Sequence, residues 1–166
     1  GAYFTRGSGH NQYGGYTEDS AEYQVVLDRL ARKFKRARIL MPPPVIEATG
    51  TSTIGLVAIG SSRGAVNEAR DILAKRGIPI DYMRIKAFPF TKEVEAFMAS
   101  HEKIFVVEQN RDAQLKSLLT LETDVPKSKL HPILHYNGLP MTSEGIVEAV
   151  LAELGDGRRA AMAGAS

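Results

Sequence analysis

Hydrophobic positions between residues 20 and 38 repeat with a helical period, and the remaining positions of this predicted helix are strongly basic. Val26, Leu30 and Phe34 follow one another at intervals of four residues, which places them on one stripe. Positions 29–38 carry six Lys or Arg side chains. These basic side chains have three possible interpretations. They form a solvated face, a surface for an acidic partner, or a contact with nucleic acid or anionic lipid.

From residue 50 onward, short apolar runs alternate with helical repeats. The runs predict strands over residues 54–59, 78–88, 104–107 and 130–136. The repeats predict helices over residues 65–76, 92–100, 112–122 and 142–154, with Thr91 and Thr142 as N-caps. Pro132 suits only a strand at the edge of a sheet. The alternation predicts an α/β three-layer sandwich with a mostly parallel sheet.

The chain divides into three predicted parts. Residues 1–44 hold a loop, the basic helix and a linker of three prolines, residues 45–155 form the α/β domain, and residues 156–166 form a flexible tail. Residues 3–16 combine glycines with aromatic side chains and lack any period. Because a complete domain rarely begins in this way, we expect the chain to be a piece of a longer protein that docks on absent domains.

Composition excludes several classes of function. The chain has 166 residues, enough for one domain with a core, and a formal net charge of only +2, which gives no electrostatic footprint for nucleic acid over most of the chain. It has no cysteine, so it cannot by itself form a disulfide, use a thiol nucleophile or hold an iron–sulfur cluster. No apolar run is long enough for a membrane span, and we expect a cytosolic location. The four histidines share no ligand spacing, so no metal site is predicted.

A glycine- and serine-rich turn follows the first predicted strand. Ser61, Ser62, Arg63 and Gly64 offer hydroxyls, a cation, backbone amides and a helix N-terminus, which together suit an anion. The structural alternative is a serine-capped helix in which the glycines allow close packing of strand and helix.

The same turn spells G-x-S-x-G, the pattern of the nucleophile elbow in hydrolases, with Ser62 at its centre. A serine hydrolase would recruit Glu108 as the acid and His131 or His135 as the base, which is the chain order of that class. A stand-alone module that binds anions is a further alternative.

Three polar residues, Glu108, Gln109 and Asn110, end the buried strand at 104–107. They are candidates for a ligand contact, for an inter-domain contact, or for capping of the next helix with Asn110 as the N-cap.

These motifs, in this order, resemble the alpha subunits of 2-oxoacid:ferredoxin oxidoreductases, most closely the 2-oxoglutarate (KorA) type. The resemblance rests on residues 7–14 with 17–19, residues 59–65, 88–90 and 106–110, and Gln114-Leu115. It implies the C-terminal domain of that subunit, similar in fold to the transketolase C-terminal domain.

The resemblance also implies an activity and its cofactors. The whole enzyme converts a 2-oxoacid, CoA and oxidised ferredoxin into acyl-CoA, CO₂ and reduced ferredoxin. It uses thiamine diphosphate, Mg and an iron–sulfur cluster on other domains or subunits. This chain would be a structural domain for subunit assembly that meets the beta subunit and the rest of alpha, binds no cofactor alone and is inactive alone. Homodimer formation is compatible with this role. CoA would be the anion at residues 61–64.

Within the resemblance, three positions carry specific expectations. His10 keeps its family position and is the best candidate for approaching the active site, although Gly9 stands where many alpha subunits have Glu. Ala113 stands where many have Gly, which suggests that the turn at 111–113 has lost a residue with positive φ. Residues 155–157 are interpreted as a helix stop, not as the Gly-Asp-Gly of a thiamine site.

Overall fold

The computed structural model of the chain describes residues 9–163, and the side chains of residues 9–155. The chain consists of two compact units, residues 1–41 and residues 42–166. Residues 3–8 of the predicted N-terminal loop and the end of the predicted tail, residues 164–166, lie outside the described residues.

From residue 9 onward, the first unit consists of a turn followed by one long helix, α1 (Ser20–Leu40). In the turn, Asn11 N–H donates to the Gly15 carbonyl at 2.8 Å. Asp19 caps α1, because its carboxylate accepts hydrogen bonds from the backbone N–H groups of Ala21 and Glu22. The helix predicted from the hydrophobic period is therefore confirmed, and it extends two residues further.

The predicted apolar stripe of α1 is mostly uncovered. Val26 is its buried member, whereas Leu30 is 38% exposed and Phe34 is 58% exposed. This helix therefore presents apolar as well as basic side chains at the surface of its unit.

The second unit is built on a five-stranded sheet with the strand order β1-β3-β2-β4-β5. The strands are β1 (Val45–Glu47), β2 (Ile54–Ile59), β3 (Asp81–Ile85), β4 (Lys103–Glu108) and β5 (Leu130–Leu134). The pairs among β2 to β5 are parallel, and β1 runs antiparallel to β3. Pro132 lies on the edge strand β5, as predicted. Sequence reasoning missed β1 because three residues are too short to show an alternation.

Helices cover both faces of this sheet, which confirms the three-layer α/β architecture. The helices are α2 (Arg63–Lys75), α3 (Lys92–Ser100), α4 (Gln114–Glu122) and α5 (Ser143–Ala163). Helices α2 and α5 pack with Leu56, Tyr82 and Phe105 in one core cluster. Helices α3 and α4 pack on the opposite face, against side chains that include Val57 and Val106.

Two helix ends differ from the predictions. Helix α5 continues through Gly155 to Ala163, so the predicted helix stop at residues 155–157 is wrong. Each of the two glycines, Gly155 and Gly157, costs about 1 kcal/mol inside a helix, which is not enough to end one by itself. Thr142 caps α5 by accepting from Gly145 N–H at 3.3 Å, as predicted. Thr91 stands at the N-cap of α3, but its side chain makes no capping hydrogen bond.

Candidate functional site

The carboxyl ends of β2 and β4 bring together two loops that the sequence singled out separately. These strands are parallel neighbours, so the residues that follow them meet at the same edge of the sheet. Gln109 Nε2 donates to Ser61 Oγ at 3.1 Å and to Ser62 Oγ at 3.3 Å. We call this edge, with the loops after β2, β3, β4 and β5, the carboxyl edge.

An open pocket of about 430 Å³ lies at the carboxyl edge. Its lining consists of Ser61, Ser62, Ala65, Gln109, Gly138, Leu139, Pro140 and Met141. Sequence reasoning missed residues 138–141, for which the turn signal of Asn137-Gly138 was the available clue. The lining holds hydroxyls, an amide and apolar groups but no charged side chain, so the pocket suits a neutral polar group better than a phosphate.

The turn after β2 does not have the geometry of a nucleophile elbow. Its positive φ of 71° falls on Gly60, whereas Ser62 is right-handed helical, with φ −66° and ψ −8°. Residues 60–62 form a short 3₁₀ turn that leads into α2. A Cβ at Gly64 would meet nothing within 4 Å, so the packing role considered for that glycine is wrong.

The side chains considered for a hydrolase triad are each engaged elsewhere. His131 Nδ1 lies 3.0 Å from Glu153 Oε1, and His135 Nε2 lies 2.7 Å from the Leu139 carbonyl. Burial lowers the pKa of His131 below its ordinary value, against the opposing charge of Glu153. Over residues 9–155, Ser62 has no hydrogen bond to a histidine, and its partner is Gln109. The serine-hydrolase hypothesis therefore has no assembled triad to support it.

Glu108 is a buried carboxylate, 2% exposed, that caps helix α4 from the end of β4. Its Oε2 accepts from Leu115 N–H at 2.6 Å, and its Oε1 accepts from Lys116 N–H at 3.0 Å. The Asn110 amide also donates to Oε2, at 2.8 Å. A negative charge at a helix N-terminus satisfies free N–H groups and the helix dipole together, so Glu108 stabilises this loop.

Asn110 contacts the same helix end, but it is not the N-cap residue that the sequence predicted, because that position is held by Ala113. Its Oδ1 accepts from Asp112 N–H at 3.1 Å and from Gln114 N–H at 3.2 Å. Of the three polar residues that end β4, Gln109 is thus the one that faces the pocket.

The turn before α4 contains a residue in the left-handed conformation, Ala113. The expectation that alanine at this position removes the positive φ is therefore wrong. Ala113 has φ 51° and ψ 47° and directly precedes α4. The hydrogen bonds of Glu108 and Asn110 hold this turn, and the Cβ of Ala113 is accommodated at a cost in strain.

Replacing Ala113 with glycine is expected to raise the free energy of unfolding by about 1 kcal/mol, because glycine adopts positive φ without a clash of its Cβ. Urea denaturation measures the change. The matched control is Ala74→Gly, at an exposed position inside α2, where the same substitution should lower stability by about 1 kcal/mol. A loss of stability in both variants would contradict the proposed strain.

The remaining sequence-based candidates have the following positions. His10 is exposed in the first unit, where it forms an isolated bridge with Tyr16, and its approach to an active site stays a prediction. Arg63 is exposed at the start of α2, and it does not line the pocket that Gln109 faces.

No group of three or more His, Asp or Glu side chains that could hold a metal occurs in the described part of the chain. In that same part, no helix is both long and apolar enough to cross a bilayer.

The fold is that of the transketolase type of α/β domain. A split-gene transketolase, an inactive beta4 tetramer, superposes with a TM-score of 0.53 over 68% of this chain and 42% of its own, at 18% identity. The 2-oxoglutarate:ferredoxin oxidoreductase of Magnetococcus marinus, solved with 2-oxoglutarate, coenzyme A and succinyl-CoA bound, superposes with a TM-score of 0.76 at 26% identity. That match covers 92% of this chain and 27% of the other.

Sequence comparison leads to the same group of proteins. No family model matches the chain. The alpha subunit of 2-oxoacid:ferredoxin oxidoreductase 2 from Aeropyrum pernix is 30% identical over 157 residues, 90% of this chain and 24% of that protein. The chain is therefore homologous to one region of the alpha subunit of 2-oxoacid:ferredoxin oxidoreductases, which confirms the resemblance seen in the sequence. It spans about a quarter of the length of these relatives, which are enzyme subunits.

Proposed function

We propose that this chain is an assembly domain of a thiamine diphosphate-dependent 2-oxoglutarate:ferredoxin oxidoreductase and supplies no reacting group. The complete enzyme would convert 2-oxoglutarate and CoA into succinyl-CoA and CO₂, with the electrons passing to ferredoxin. The choice of 2-oxoglutarate is supported by the Magnetococcus marinus enzyme, whose structure holds that substrate. The domain would correspond to the C-terminal part of the alpha subunit.

The observation that carries the proposal is the character of the carboxyl edge. Its reactive side chains are engaged in capping and in hydrogen bonds within the domain, whereas its large apolar side chains are exposed. Ile59 is 44% exposed, Phe88 42%, Tyr136 64% and Leu139 67%. Exposed apolar groups that surround an uncharged pocket are typical of a surface for another protein. The relatives are subunits of larger enzymes, so the partner we propose is the remainder of the alpha subunit and the beta subunit.

Thiamine diphosphate does not fit the residues of this chain. The thiamine enzymes hold the diphosphate and its metal with a Gly-Asp-Gly motif, but residues 155–157 continue helix α5. We therefore assign thiamine diphosphate, Mg and the iron–sulfur cluster to other parts of the enzyme. CoA binding at residues 61–64 stays a prediction. The cation of this range, Arg63, does not line the neighbouring pocket.

An aspartate in place of Leu139 is expected to weaken the association of this domain with the rest of the enzyme at least tenfold. The substitution buries a charge in an apolar interface, and about 1.4 kcal/mol corresponds to each factor of ten. The measurement is the dissociation constant between subunits of the complete enzyme, together with reduction of a viologen dye by 2-oxoglutarate and CoA. Leu121→Asp is the matched control, because Leu121 is 80% exposed on α4 and away from the carboxyl edge.

Two results would count against the assembly role, and a third would count against the proposed substrate. Equal association of the Leu139→Asp and Leu121→Asp enzymes would remove the carboxyl edge from the interface. Turnover of 2-oxoglutarate by the 166-residue chain alone would show that it contains the chemistry. Faster reduction of the dye with pyruvate than with 2-oxoglutarate would overturn the proposed substrate. Light scattering on the chain alone tests the separate expectation of a homodimer.

A further inference from the structure

The exposed apolar side chains of α1 form a narrow seam along one line of the helix. Its members, Tyr23, Leu27, Leu30 and Phe34, follow one another in steps of four, three and four residues. Alternating steps of three and four residues are the spacing with which one helix packs along another in a coiled coil. The four side chains are 43%, 46%, 38% and 58% exposed, so nothing in the described part of the chain covers the seam completely. Contiguous exposed apolar groups of this kind mark an interaction surface.

The charged side chains of α1 and of the residues just before it are sorted along the chain. Residues 18–28 carry four acidic side chains and no basic one, and we call them the acidic half. Residues 29–38 carry six basic side chains and no acidic one, and we call them the basic half. The helix dipole favours such charges only in the first and last turns, whereas the bases begin in the middle of the helix. The dipole therefore does not account for the whole pattern.

Most of the basic half has no acid beside it. Five of its side chains make no ion pair and no side-chain hydrogen bond within residues 9–155, namely Arg29, Arg32, Lys33, Lys35 and Arg36. Like charges three or four residues apart on a helix repel one another. A partner that covers the seam and places carboxylates beside the basic half would relieve this repulsion.

We infer that the seam of α1 packs against the seam of α1 in a second copy of this chain, with the two helices antiparallel. In this orientation the acidic half of each helix lies beside the basic half of the other, whereas a parallel pair would place six cations beside six. A twofold axis between residues 28 and 29 sets Leu27 of one copy opposite Leu30 of the other, and Tyr23 opposite Phe34. Every contact of such a pair occurs twice. The inference does not depend on the proposed function.

A second copy fits α1 better than the other partners that a basic helix can bind. Anionic lipid would attract the basic half but repel the four carboxylates of the acidic half. An acidic protein surface would leave the acidic half against like charge in the same way. The helix itself supplies both charges in the order that an antiparallel pair requires.

The first test is sedimentation equilibrium of the 166-residue chain over a wide range of concentrations. We expect a reversible equilibrium between monomer and dimer, with a dissociation constant in the micromolar range because the seam contributes only four side chains from each copy. A chain that stays monomeric at every concentration would overturn the inference.

A matched pair of variants locates the interface. Leu27→Gln places an amide in the seam and should weaken the dimer at least about tenfold, because the buried leucine is lost from both copies. Val25→Gln is the control, since Val25 is 58% exposed on α1 but lies outside the seam, and it should leave the dissociation constant unchanged. Circular dichroism verifies the helix content, and Phe34→Gln decides the outcome if Leu27→Gln does not fold. A dimer that all the seam variants leave intact would refute the seam as the interface.

Disulfide cross-linking measures the orientation of the two helices. The chain has no cysteine, so each introduced thiol is unique. In an antiparallel pair a mixture of Leu27→Cys and Leu30→Cys chains should oxidise to a mixed dimer faster than either chain alone, because only opposed Cβ atoms come within bonding range. Preferential linking of each variant to itself would show a parallel pair and contradict the argument from charge.

Vesicles of phosphatidylserine test the competing occupant. We expect the chain to sediment with these vesicles no more in its unaltered form than as Leu27→Gln. Binding to the vesicles that Leu27→Gln abolishes, together with a monomer in solution, would assign the seam to a lipid surface and overturn the pairing of two copies.

Discussion

Replacing Glu108 with glutamine is expected to lower the free energy of unfolding by about 3 kcal/mol. Glutamine has nearly the same shape, but it presents an NH₂ group where a carboxylate oxygen now accepts. Each of the two oxygens of Glu108 accepts from a backbone N–H of α4, those of Leu115 and Lys116. One of these N–H groups would then face a donor in a buried place, and the charge that complements the helix dipole would be lost. Urea denaturation at neutral pH measures the effect.

Glu122→Gln is the control for this prediction. Glu122 is the last residue of the same helix and is exposed. A negative charge near a helix C-terminus is unfavourable, so its removal should leave stability unchanged or raise it by about 0.3 kcal/mol. Should Glu108→Gln also stay within about 0.5 kcal/mol of the unaltered chain, the capping role would be refuted and the carboxylate would again be a candidate ligand contact.

Replacing Asp81 with alanine is expected to lower the free energy of unfolding by about 4 kcal/mol, because buried donors of Thr49 and His101 would lose their acceptor. Asp81 begins β3 and is 4% exposed. Its Oδ1 accepts from the backbone N–H and the hydroxyl of Thr49, at 2.7 and 2.8 Å. Its Oδ2 lies 3.3 Å from Nε2 of the equally buried His101.

His101 is the buried neighbour of this carboxylate. Its Nδ1 lies 2.7 Å from the Phe97 carbonyl and 3.1 Å from Ser100 Oγ. Its Nε2 faces the Asp81 carboxylate, which can only accept a hydrogen bond. Loss of Asp81 would leave this ring without its partner.

The destabilisation by Asp81→Ala should depend on pH. Burial raises the pKa of Asp81, but the hydrogen bonds from Thr49 and His101 together lower it by more. The pKa of Asp81 in the folded chain is therefore below its ordinary value of 3.8. A carboxyl group whose pKa is lower in the folded state stabilises fully above its unfolded value and loses that stabilisation as the pH falls through the folded value. The difference between the unaltered chain and Asp81→Ala should therefore shrink as the pH is lowered from about 5 to 3.

Denaturation curves at pH values across this range measure the dependence, and Asp71→Ala is the matched control because Asp71 is exposed on α2. A constant difference between the unaltered chain and Asp81→Ala down to about pH 3 would contradict the role of the ionised carboxylate. If Asp81→Ala does not fold, Asp81→Asn, which keeps the shape, tests the same charge.

The periodic parts of the chain could be predicted because their signals are local. The apolar run at 54–59 and the repeat at 65–76 are confirmed as β2 and α2, and the edge position of Pro132 follows from its missing N–H. Parallel crossovers also place the loops after β2 and β4 at the same edge of the sheet. That β2 and β4 are neighbours, so that Gln109 meets Ser61 and Ser62, came only from the structure.

The roles of single side chains required the tertiary structure. Glu108, Gln109 and Asn110 are adjacent and chemically alike, but strand pleat and the position of α4 direct two of them to the helix and one to the pocket. Ala113 shows the limit of a residue-type rule, because hydrogen bonds from its neighbours hold a conformation that alanine disfavours. The strand β1 and the partners of Asp81 lie far apart in sequence, so no local pattern could indicate them.

The sequence by itself determined the α/β class, the positions of the main helices and strands, and the kinship with oxidoreductase alpha subunits. These properties depend on the order of local patterns along the chain. Only the tertiary structure decided which polar groups satisfy one another and which are left without partners. That outcome depends on distances between residues such as Gln109 and Ser61, which folding brings together from separate elements.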